Sequence, residues 1–184
     1  LGHPSLFSDV SNNYPLRGGK WALFEGGIRV PWIVAGPEIS AQTFCDVPVV
    51  GWDLLPTIAD LAGYTKPLPA TLDGGSLRQL LHHRGKATVN RPSPGLVFHR
   101  FSKSYAHSAI RVGEYKLIKF WQELDFKIDV TSTGKGTFER TLLFNLEDDI
   151  GETRNLAKSM PGKTQELEAE LDTYLEQVGA PALR

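Results

Sequence analysis

The residues best suited to chemistry lie in one glycine-rich stretch, residues 12–31, which reads NNYPLRGGKWALFEGGIRVP. Lys20 follows two glycines, and Arg17 comes just before them. Glycine lets the backbone approach a ligand closely, and a lysine ammonium there can offset the charge of a phosphate, sulfate or carboxylate. The competing interpretation is a basic surface loop with an internal ion pair between Glu25 and Arg29. The stretch matches neither the phosphate-binding loop nor the dinucleotide-binding fingerprint.

Two other groups of polar residues suggest metal binding more weakly. His82 and His83 are adjacent, so they do not share a helix face, and the neighbouring sequence offers no third ligand. A solvated loop is the favoured interpretation of this pair. Asp148, Asp149 and Glu152 suggest calcium but lack the spacing of an EF-hand loop.

Cys45 is the single cysteine of the chain. One cysteine excludes an internal disulfide framework and a multi-cysteine metal site. Its neighbours resemble a half-buried strand, so the sequence favours an inert core thiol over a nucleophile.

Composition excludes several classes of protein. The chain has 184 residues and a formal net charge of -1 with both signs interspersed, so no field that would attract nucleic acid or an anionic membrane surface is expected. No apolar run approaches the roughly 20 residues needed to span a bilayer, and the first residues do not resemble a signal peptide. Because the chain opens on Leu1 and contains one methionine, we expect a piece of a longer protein.

The elements that position the glycine-rich stretch can be predicted from periodicity. Residues 1–19 are rich in Ser, Asn, Pro and Gly and predict a loop. The apolar run over residues 27–34 predicts a strand covered on both faces. A helix follows, with Asp53 as its cap, Pro56 in its first turn and Gly63 at its end.

The second half of the chain predicts a small antiparallel sheet and a helix. After a proline- and glycine-rich seam over residues 64–95 come four short β-rich segments, LVFHR, SAIRVG, YKLIKFW and TLLFNL. A tight turn around Gly113 and Glu114 joins the middle two, and residues 125–140 predict a long hairpin excursion before the last. The chain closes on a helix whose apolar stripe contains Leu167, Leu171, Tyr174, Leu175 and Val178.

Five segments, in order, resemble one family. The pattern PLRGGKWALFEGGIRVP is similar to a characteristic stretch near the end of the large domain of sulfatases, the formylglycine-dependent sulfuric ester hydrolases. VVGWDLLPTIADLAG, LDGGSLRQLL, SAIRVGEYKLIKF and LLFNLEDDIGETRNLA resemble the sulfatase segments that follow it. These matches cover most of residues 12–157, and five of them in the same order are not expected by chance.

The resemblance implies roles for individual positions. Lys20 matches the family lysine that contacts the sulfate group, so we expect it to be both catalytic and substrate-binding. His99 in LVFHR matches a segment on the family's first C-terminal strand that can reach toward the substrate pocket, so it is a second candidate for substrate binding. Arg17, Glu25 and Arg29 fall on positions that brace the loop. His107 and Tyr105 are weaker candidates for the mouth of the pocket.

The fold implied by the resemblance is an α+β fragment: the tail of an α/β alkaline-phosphatase-like domain, followed by a small antiparallel sheet packed against a C-terminal helix. The corresponding domains are residues 1–85 and 86–184. Sulfatases attack with a formylglycine made from Cys or Ser beside a calcium ion, and the required sequence is absent from this chain. Nucleophile and calcium ligands are therefore expected upstream, no metal site is expected here, and this piece alone is expected to be inactive.

The implied substrate is a sulfate ester, either of a glycan or of an aryl alcohol, and the implied partner is the N-terminal part of the same protein. A phosphatase or phosphodiesterase of the same superfamily, and a non-catalytic binding domain, remain alternatives. The family resemblance also implies export to the periplasm, the extracellular space or the lysosome. If the large domain is missing, apolar faces around residues 28–34 and 54–62 are expected to be exposed and to favour self-association.

Overall fold

The structure is a computed structural model that describes residues 13–93, 95–102, 106–122 and 139–181. The chain forms two compact units, Leu1–Val30 with Gly95–Arg184, and Pro31–Pro94. The helices and strands of the described residues are α1 (Glu25–Ile28), α2 (Leu54–Leu61), α3 (Arg78–His82), β1 (Leu96–Arg100), β2 (His107–Val112), β3 (Tyr115–Phe120), β4 (Thr141–Asn145) and α4 (Pro161–Gln177).

The first unit is built on a four-stranded antiparallel sheet in the order β1-β2-β3-β4. The predicted tight turn joins β2 to β3, and Gly113 in it has a φ of 60°, which glycine adopts at little cost. The predicted sheet with a covering C-terminal helix is thus confirmed. The predicted hairpin excursion falls almost wholly on residues 123–138, which lie outside the described residues.

The two faces of this sheet pack against different parts of the chain. The helix face, with Ile110, Leu117 and Leu143, packs on α4 through Leu167 and Leu171, all of them buried. The opposite face, called the loop face here, packs against the glycine-rich stretch. Its apolar members include Ala109, Ile118, Phe120, Leu142 and Phe144, which meet Ala22, Leu23 and Phe24 of that stretch.

The predicted stripe of α4 is buried as far as Leu175, whereas Val178, just past the helix end, is 55% exposed. The helix stops before Gly179, whose φ is 62°. Because α4 covers one face of the sheet, the glycine-rich stretch can reach the sheet only on the loop face.

The compact units differ from the two segments expected from the sequence, because the residues before Val30 pack with the C-terminal sheet. The expected boundary near residue 85 concerns the domains of a larger protein and stays a prediction.

The second unit is organised around the buried carboxylate of Asp53. Asp53 stands at the N-cap position of α2 and makes no side-chain hydrogen bond to the N–H groups of that helix, so the predicted cap is wrong in that respect. Its carboxylate closes the short 3₁₀ turn Gly51–Asp53 that leads into α2. The carboxylate accepts hydrogen bonds from Arg91 at 2.6 and 2.9 Å, from Gly75 N at 3.0 Å and from Val50 N at 2.9 Å. Burial would raise the pKa of Asp53, but these donors hold it below its ordinary value. The helix ends at Leu61, and Gly63, which has a φ of 70°, follows its C-cap as predicted.

Two predictions for the second unit are wrong. Residues 31–34 form no strand, and Ile33 is 91% exposed, because no neighbouring strand in the described part of the chain pairs with them. Cys45 is likewise exposed and outside any strand, so it is not a core thiol.

The apolar side of α2 is exposed, with Leu55 at 53% and Ile58 at 61%. In the part of the chain that the structure describes, no helix is long and apolar enough to cross a membrane.

Candidate anion-binding site

Lys20 lies at the exposed tip of the glycine-rich stretch. Within the described residues its ammonium pairs with no carboxylate, and it lies 5.7 Å from the centre of the Trp21 ring. Trp21 has a φ of 82°, in the left-handed region that a bulky residue rarely adopts. Strain of this kind persists only where the surroundings over-determine the backbone, and it clusters at functional sites.

The base of this loop is closed by backbone and side-chain hydrogen bonds. Gly26 N donates to Arg17 O at 2.7 Å, and Asn13 Nδ2 donates to Gly18 O at 3.0 Å and to Gly26 O at 3.1 Å. A Cβ at Gly27 would lie 2.1 Å from Ala22 O, so only glycine fits there without movement of the backbone. The glycines therefore let the chain pack on itself and hold Lys20 at the tip.

The loop is also fixed to the loop face of the sheet. Leu23 N donates to His107 Nε2 at 3.0 Å, so this nitrogen carries no proton. His107 is fully buried and stacks on Phe120 with ring centroids 5.4 Å apart. Arg17 lies over the ring of Phe24 at 4.2 Å. The structure thus gives His107 a place in the core, and Tyr105, its companion candidate for the pocket mouth, lies outside the described residues.

A buried charge cluster anchors the loop five residues beyond Lys20. Lys116 Nζ on β3 lies 2.8 Å from Glu25 Oε1 and 2.9 Å from Glu152 Oε1, and all three side chains are at most 1% exposed. The contact between Lys116 and Glu25 is a hydrogen bond. The contact between Lys116 and Glu152 is an ion pair by distance, but Glu152 Oε1 has no partner with hydrogen-bond geometry. Glu25 N donates to Glu152 Oε2 at 2.6 Å, so the two acidic residues are also joined directly.

Three arginines surround this cluster. Arg29 Nε pairs with Glu25 Oε2 at 2.5 Å, so the ion pair named in the surface-loop interpretation is present. Arg111 approaches the same oxygen at 3.5 Å, and Arg17 Nη1 donates to the backbone oxygen of Glu152 at 2.7 Å. The bracing roles expected for Arg17, Glu25 and Arg29 agree with these contacts.

The pKa values of the two carboxylates in the cluster are shifted in opposite directions. Burial would raise the pKa of Glu25, but Lys116 and Arg29 outweigh it and hold that pKa below the ordinary value. Burial raises the pKa of Glu152, and Lys116 offsets this only in part. The pKa of Arg111 is lowered, first by burial, while Glu25 acts against that shift. Glu25 is therefore the carboxylate that holds its charge against burial.

The structure does not bring His99 and Lys20 together. His99 pairs with Ser108 across β1 and β2, and Nδ1 lies 2.7 Å from Ser108 Oγ, which also accepts from Trp121 Nε1 at 2.7 Å. Trp121 packs with the cluster on the helix face, whereas the Lys20 loop packs on the loop face. The substrate-binding role expected for His99 stays a prediction.

The weaker metal candidates have other contacts. His82 Nε2 lies 3.8 Å from Glu38 Oε2, and His83 Nδ1 lies 2.8 Å from Gln79 O. Asp149 accepts hydrogen bonds from Thr153 N and Arg154 N in a tight turn. Across the described residues, no three His, Cys, Asp or Glu side chains are grouped as a metal site requires.

Sequence reasoning did not identify Lys116 or Arg111 and assigned Glu152 only to a possible calcium turn. The strand pattern gave only a partial signal, because Lys116 and Lys119 each share a face of β3 with an apolar residue, Ile118 and Leu117 respectively. A lysine on the apolar face of a strand requires a buried partner.

The fold and this loop define the class of protein. Residues 19–180 match the family model described as N-sulphoglucosamine sulphohydrolase, C-terminal, and the chain belongs to that family. It thus corresponds to a C-terminal portion of a sulfatase, as expected from the sequence.

Individual relatives agree. The chain is 35% identical over 161 residues to arylsulfatase A of Homo sapiens, covering 83% of this chain and 31% of that protein. It is 29% identical over 160 residues to arylsulfatase K of Danio rerio, covering 85% of this chain and 28% of that protein. The crystal structure of Ps i-CgsB in complex with k-i-k-neocarrahexaose superposes with a TM-score of 0.67 at 27% identity, over 89% of this chain and 32% of that one. The chain therefore spans about a third of the length of these relatives.

Proposed function

We propose that this chain forms part of a sulfatase that hydrolyses sulfate esters, and that Lys20 binds the sulfate group of the substrate. The observation that carries the proposal is the placement of Lys20: an exposed ammonium, unpaired with any carboxylate of the described residues, on a loop fixed by a buried charge cluster. Family membership supplies the chemistry that needs such a cation.

A fixed ammonium suits the reaction because charge on the sulfate oxygens must be stabilised throughout the transfer from one oxygen nucleophile to another. Donors that are already oriented contribute more than donors that must reorganise, so a loop held at its base favours catalysis. Two hydrogen bonds hold the backbone around Lys20 in place: one from Gly26 N to Arg17 O, and one from Leu23 N to His107 Nε2. In this proposal Lys20 holds and orients the sulfate, and it transfers no proton.

The attacking group and the metal belong to other parts of the protein. The described residues contain no cluster that fits calcium, and Cys45 lies in the sequence FCDVP, which does not match a formylglycine precursor. Formylglycine and calcium, which are typical of sulfatases, would therefore be supplied from outside this chain, which alone would be inactive.

The N-terminal part of the same protein is the proposed partner of the exposed apolar residues in the second unit. Ile33, Phe44 and Ile58 are 91%, 92% and 61% exposed, and several other large apolar side chains of this unit are exposed as well. Without that partner, self-association through these residues is expected. We also propose that the whole protein is exported to the periplasm, the extracellular space or the lysosome, as the family resemblance implies.

The substrate is proposed to be a sulfate ester of a glycan or of an aryl alcohol. Arylsulfatase A and arylsulfatase K are sulfatases by name, which favours sulfate over phosphate esters. The neocarrahexaose bound to Ps i-CgsB favours a glycan as the alcohol. The ring of Trp21, 55% exposed beside Lys20, offers an apolar surface for either kind of alcohol.

The test is replacement of Lys20 by Ala in the protein that contains this chain, with Lys66→Ala as the matched control because Lys66 is also exposed. We expect kcat/KM for an aryl sulfate or a sulfated oligosaccharide to fall by about 10²- to 10³-fold in Lys20→Ala, as for loss of one oxyanion donor, and to be unchanged in Lys66→Ala. Unchanged hydrolysis in Lys20→Ala would overturn the assignment. Faster hydrolysis of the matching phosphate esters by the unaltered protein would favour the phosphatase alternative.

A further inference from the structure

We propose that Lys116 is a positioning residue for sulfate-ester hydrolysis, which acts by fixing the loop that presents Lys20. This inference rests on the function proposed above. It assigns to a lysine in the core a role in the reaction, although that lysine has no access to substrate.

The first argument is the placement of the buried charges. Lys116 is 0% exposed on the loop face of β3, and its ammonium contacts one carboxylate from the glycine-rich stretch and one from the turn after β4. Burying three ionisable groups costs free energy that their mutual attraction only partly returns, and apolar replacements of buried ion pairs are often neutral or stabilising. Stability alone therefore gives little reason to keep these charges in the core. These charges are better explained by their effect on position, since they fix the glycine-rich stretch against the sheet.

The second argument is the covalent and hydrogen-bonded path from Lys116 to Lys20. Lys116 holds the side chain of Glu25, and Glu25 begins the single helical turn that closes the loop. The next residue, Gly26, bonds to Arg17 O, so the two ends of the loop are fixed by the same contact region. Arg17 in turn donates to the backbone of Glu152, the other partner of Lys116.

The third argument is electrostatic. Without the ammonium, the carboxylates of Glu25 and Glu152 would remain in the core without the cation that contacts both of them. Arg29 and Arg111 also pair with Glu25, whereas Arg17 donates to the backbone oxygen of Glu152. Burial raises the pKa of Glu152, and the charge of Lys116 opposes that rise. Removal of Lys116 is therefore expected to displace Glu152 and the adjoining loop.

The geometry also provides a matched control. Lys119 lies on the same strand, three residues further, and pairs with Asp172 of α4 at 2.6 Å on the helix face. Its loss removes an ion pair from the same sheet without touching the Lys20 loop. Because Lys119 is 17% exposed and Lys116 is fully buried, Lys119→Met reports the loss of a strand ion pair, and the Lys20→Ala background separates positioning from a general loss of stability.

The experiment is a double-mutant cycle in the protein that contains this chain. Lys116→Met is expected to reduce kcat/KM for a sulfate ester by about 10²-fold, the order of loss for a small misplacement of a reacting group. In a Lys20→Ala background the same substitution is expected to change kcat/KM by less than about threefold, because its route of action is already lost. Lys119→Met is expected to leave kcat/KM unchanged in either background.

Competitive inhibition by inorganic sulfate is the second readout. We expect Lys116→Met and Lys20→Ala to weaken that inhibition by similar factors, and Lys119→Met to leave it unaltered. Should Lys116→Met fail to fold, Glu152→Gln carries the same cycle, because it removes one charge from the cluster with almost no change of shape.

The outcomes separate this inference from the function on which it rests. If Lys20→Ala alone leaves hydrolysis intact, the proposed function fails, and the inference fails with it. If Lys20→Ala is damaging but Lys116→Met lowers kcat/KM by the same factor in both backgrounds, Lys116 acts by another route and only the inference is overturned. Equal losses in Lys116→Met and Lys119→Met would also overturn it.

Discussion

Glu25 donates its backbone N–H to the carboxylate of Glu152 at 2.6 Å, across a separation of 127 residues in the chain. The contact joins the glycine-rich stretch to the turn that follows the last strand of the C-terminal sheet. A loop that carries an exposed cation is thereby held by the core of a distant part of the sequence. This relationship is the physical basis of the role proposed for Lys20.

The first prediction concerns the close packing of Gly27. In Gly27→Ala the added methyl group would lie 2.1 Å from Ala22 O and 2.5 Å from Gly19 O, so the loop must move. We expect the hydrogen-exchange protection of the Leu23 and Gly26 amides to fall by at least about tenfold, together with sulfatase activity. Gly162→Ala in the first turn of α4 is the control, since nothing lies within 4 Å of its added methyl group. Undisturbed protection in Gly27→Ala would show that the loop is not packed as described.

The second prediction concerns pH and the charge of Glu25. The pKa of Glu25 is lowered in the folded protein, so its stabilising contribution is complete above the ordinary value of 4.5 and is lost as pH falls through the folded value. Glu25→Gln is expected to reduce the protection of the Gly26 amide by about 3 kcal/mol at neutral pH, the order of cost for breaking a buried pair. The difference from the unaltered protein is expected to shrink below pH 4.5.

Glu152 also affects the pH profile. Its pKa is raised, so its protonation favours the folded state as pH falls. The charge of Glu25 contributes to that rise, so Glu25→Gln is expected to reduce it. A difference in protection that stays constant from pH 7 to pH 3 would contradict the assigned charge state of Glu25.

The third prediction tests the second unit independently. Asp53 has a lowered pKa, so its contribution is complete above 3.8 and is lost as pH falls through the folded value. Asp53→Asn is expected to reduce hydrogen-exchange protection in α2 by about 3 kcal/mol at pH 7, because Arg91 loses its buried partner. Asp46→Asn serves as the control because Asp46 is exposed. Equal protection in the two variants would mean that Asp53 does not organise this unit.

Local pattern was sufficient to predict most regular elements. The four strands and α4 follow from alternation and from the stripe of Leu167 and Leu171, both of which are decided by neighbours close in sequence. The strand expected over residues 27–34 failed for a different reason. Its apolar residues satisfy the pattern, but a strand also needs hydrogen-bonding partners, and none of the described residues supplies them.

The candidate site could be predicted only in part. Lys20 and the Glu25–Arg29 pair are evident from local sequence, but Lys116 and Lys119 look alike as two lysines in YKLIKF. Their faces differ, and the partner of Lys116 on the loop face, Glu25, is 91 residues away. Which lysine is buried therefore depends on tertiary packing rather than on the strand pattern.

The most direct test of the central claim is a structure of the protein that contains this chain with inorganic sulfate in its active site. The account predicts that Lys20 Nζ lies within about 2.7–3.2 Å of a sulfate oxygen, the range of a charge-assisted hydrogen bond. A sulfate bound in the active site with Lys20 Nζ more than about 6 Å away, beyond any direct hydrogen bond, would contradict it.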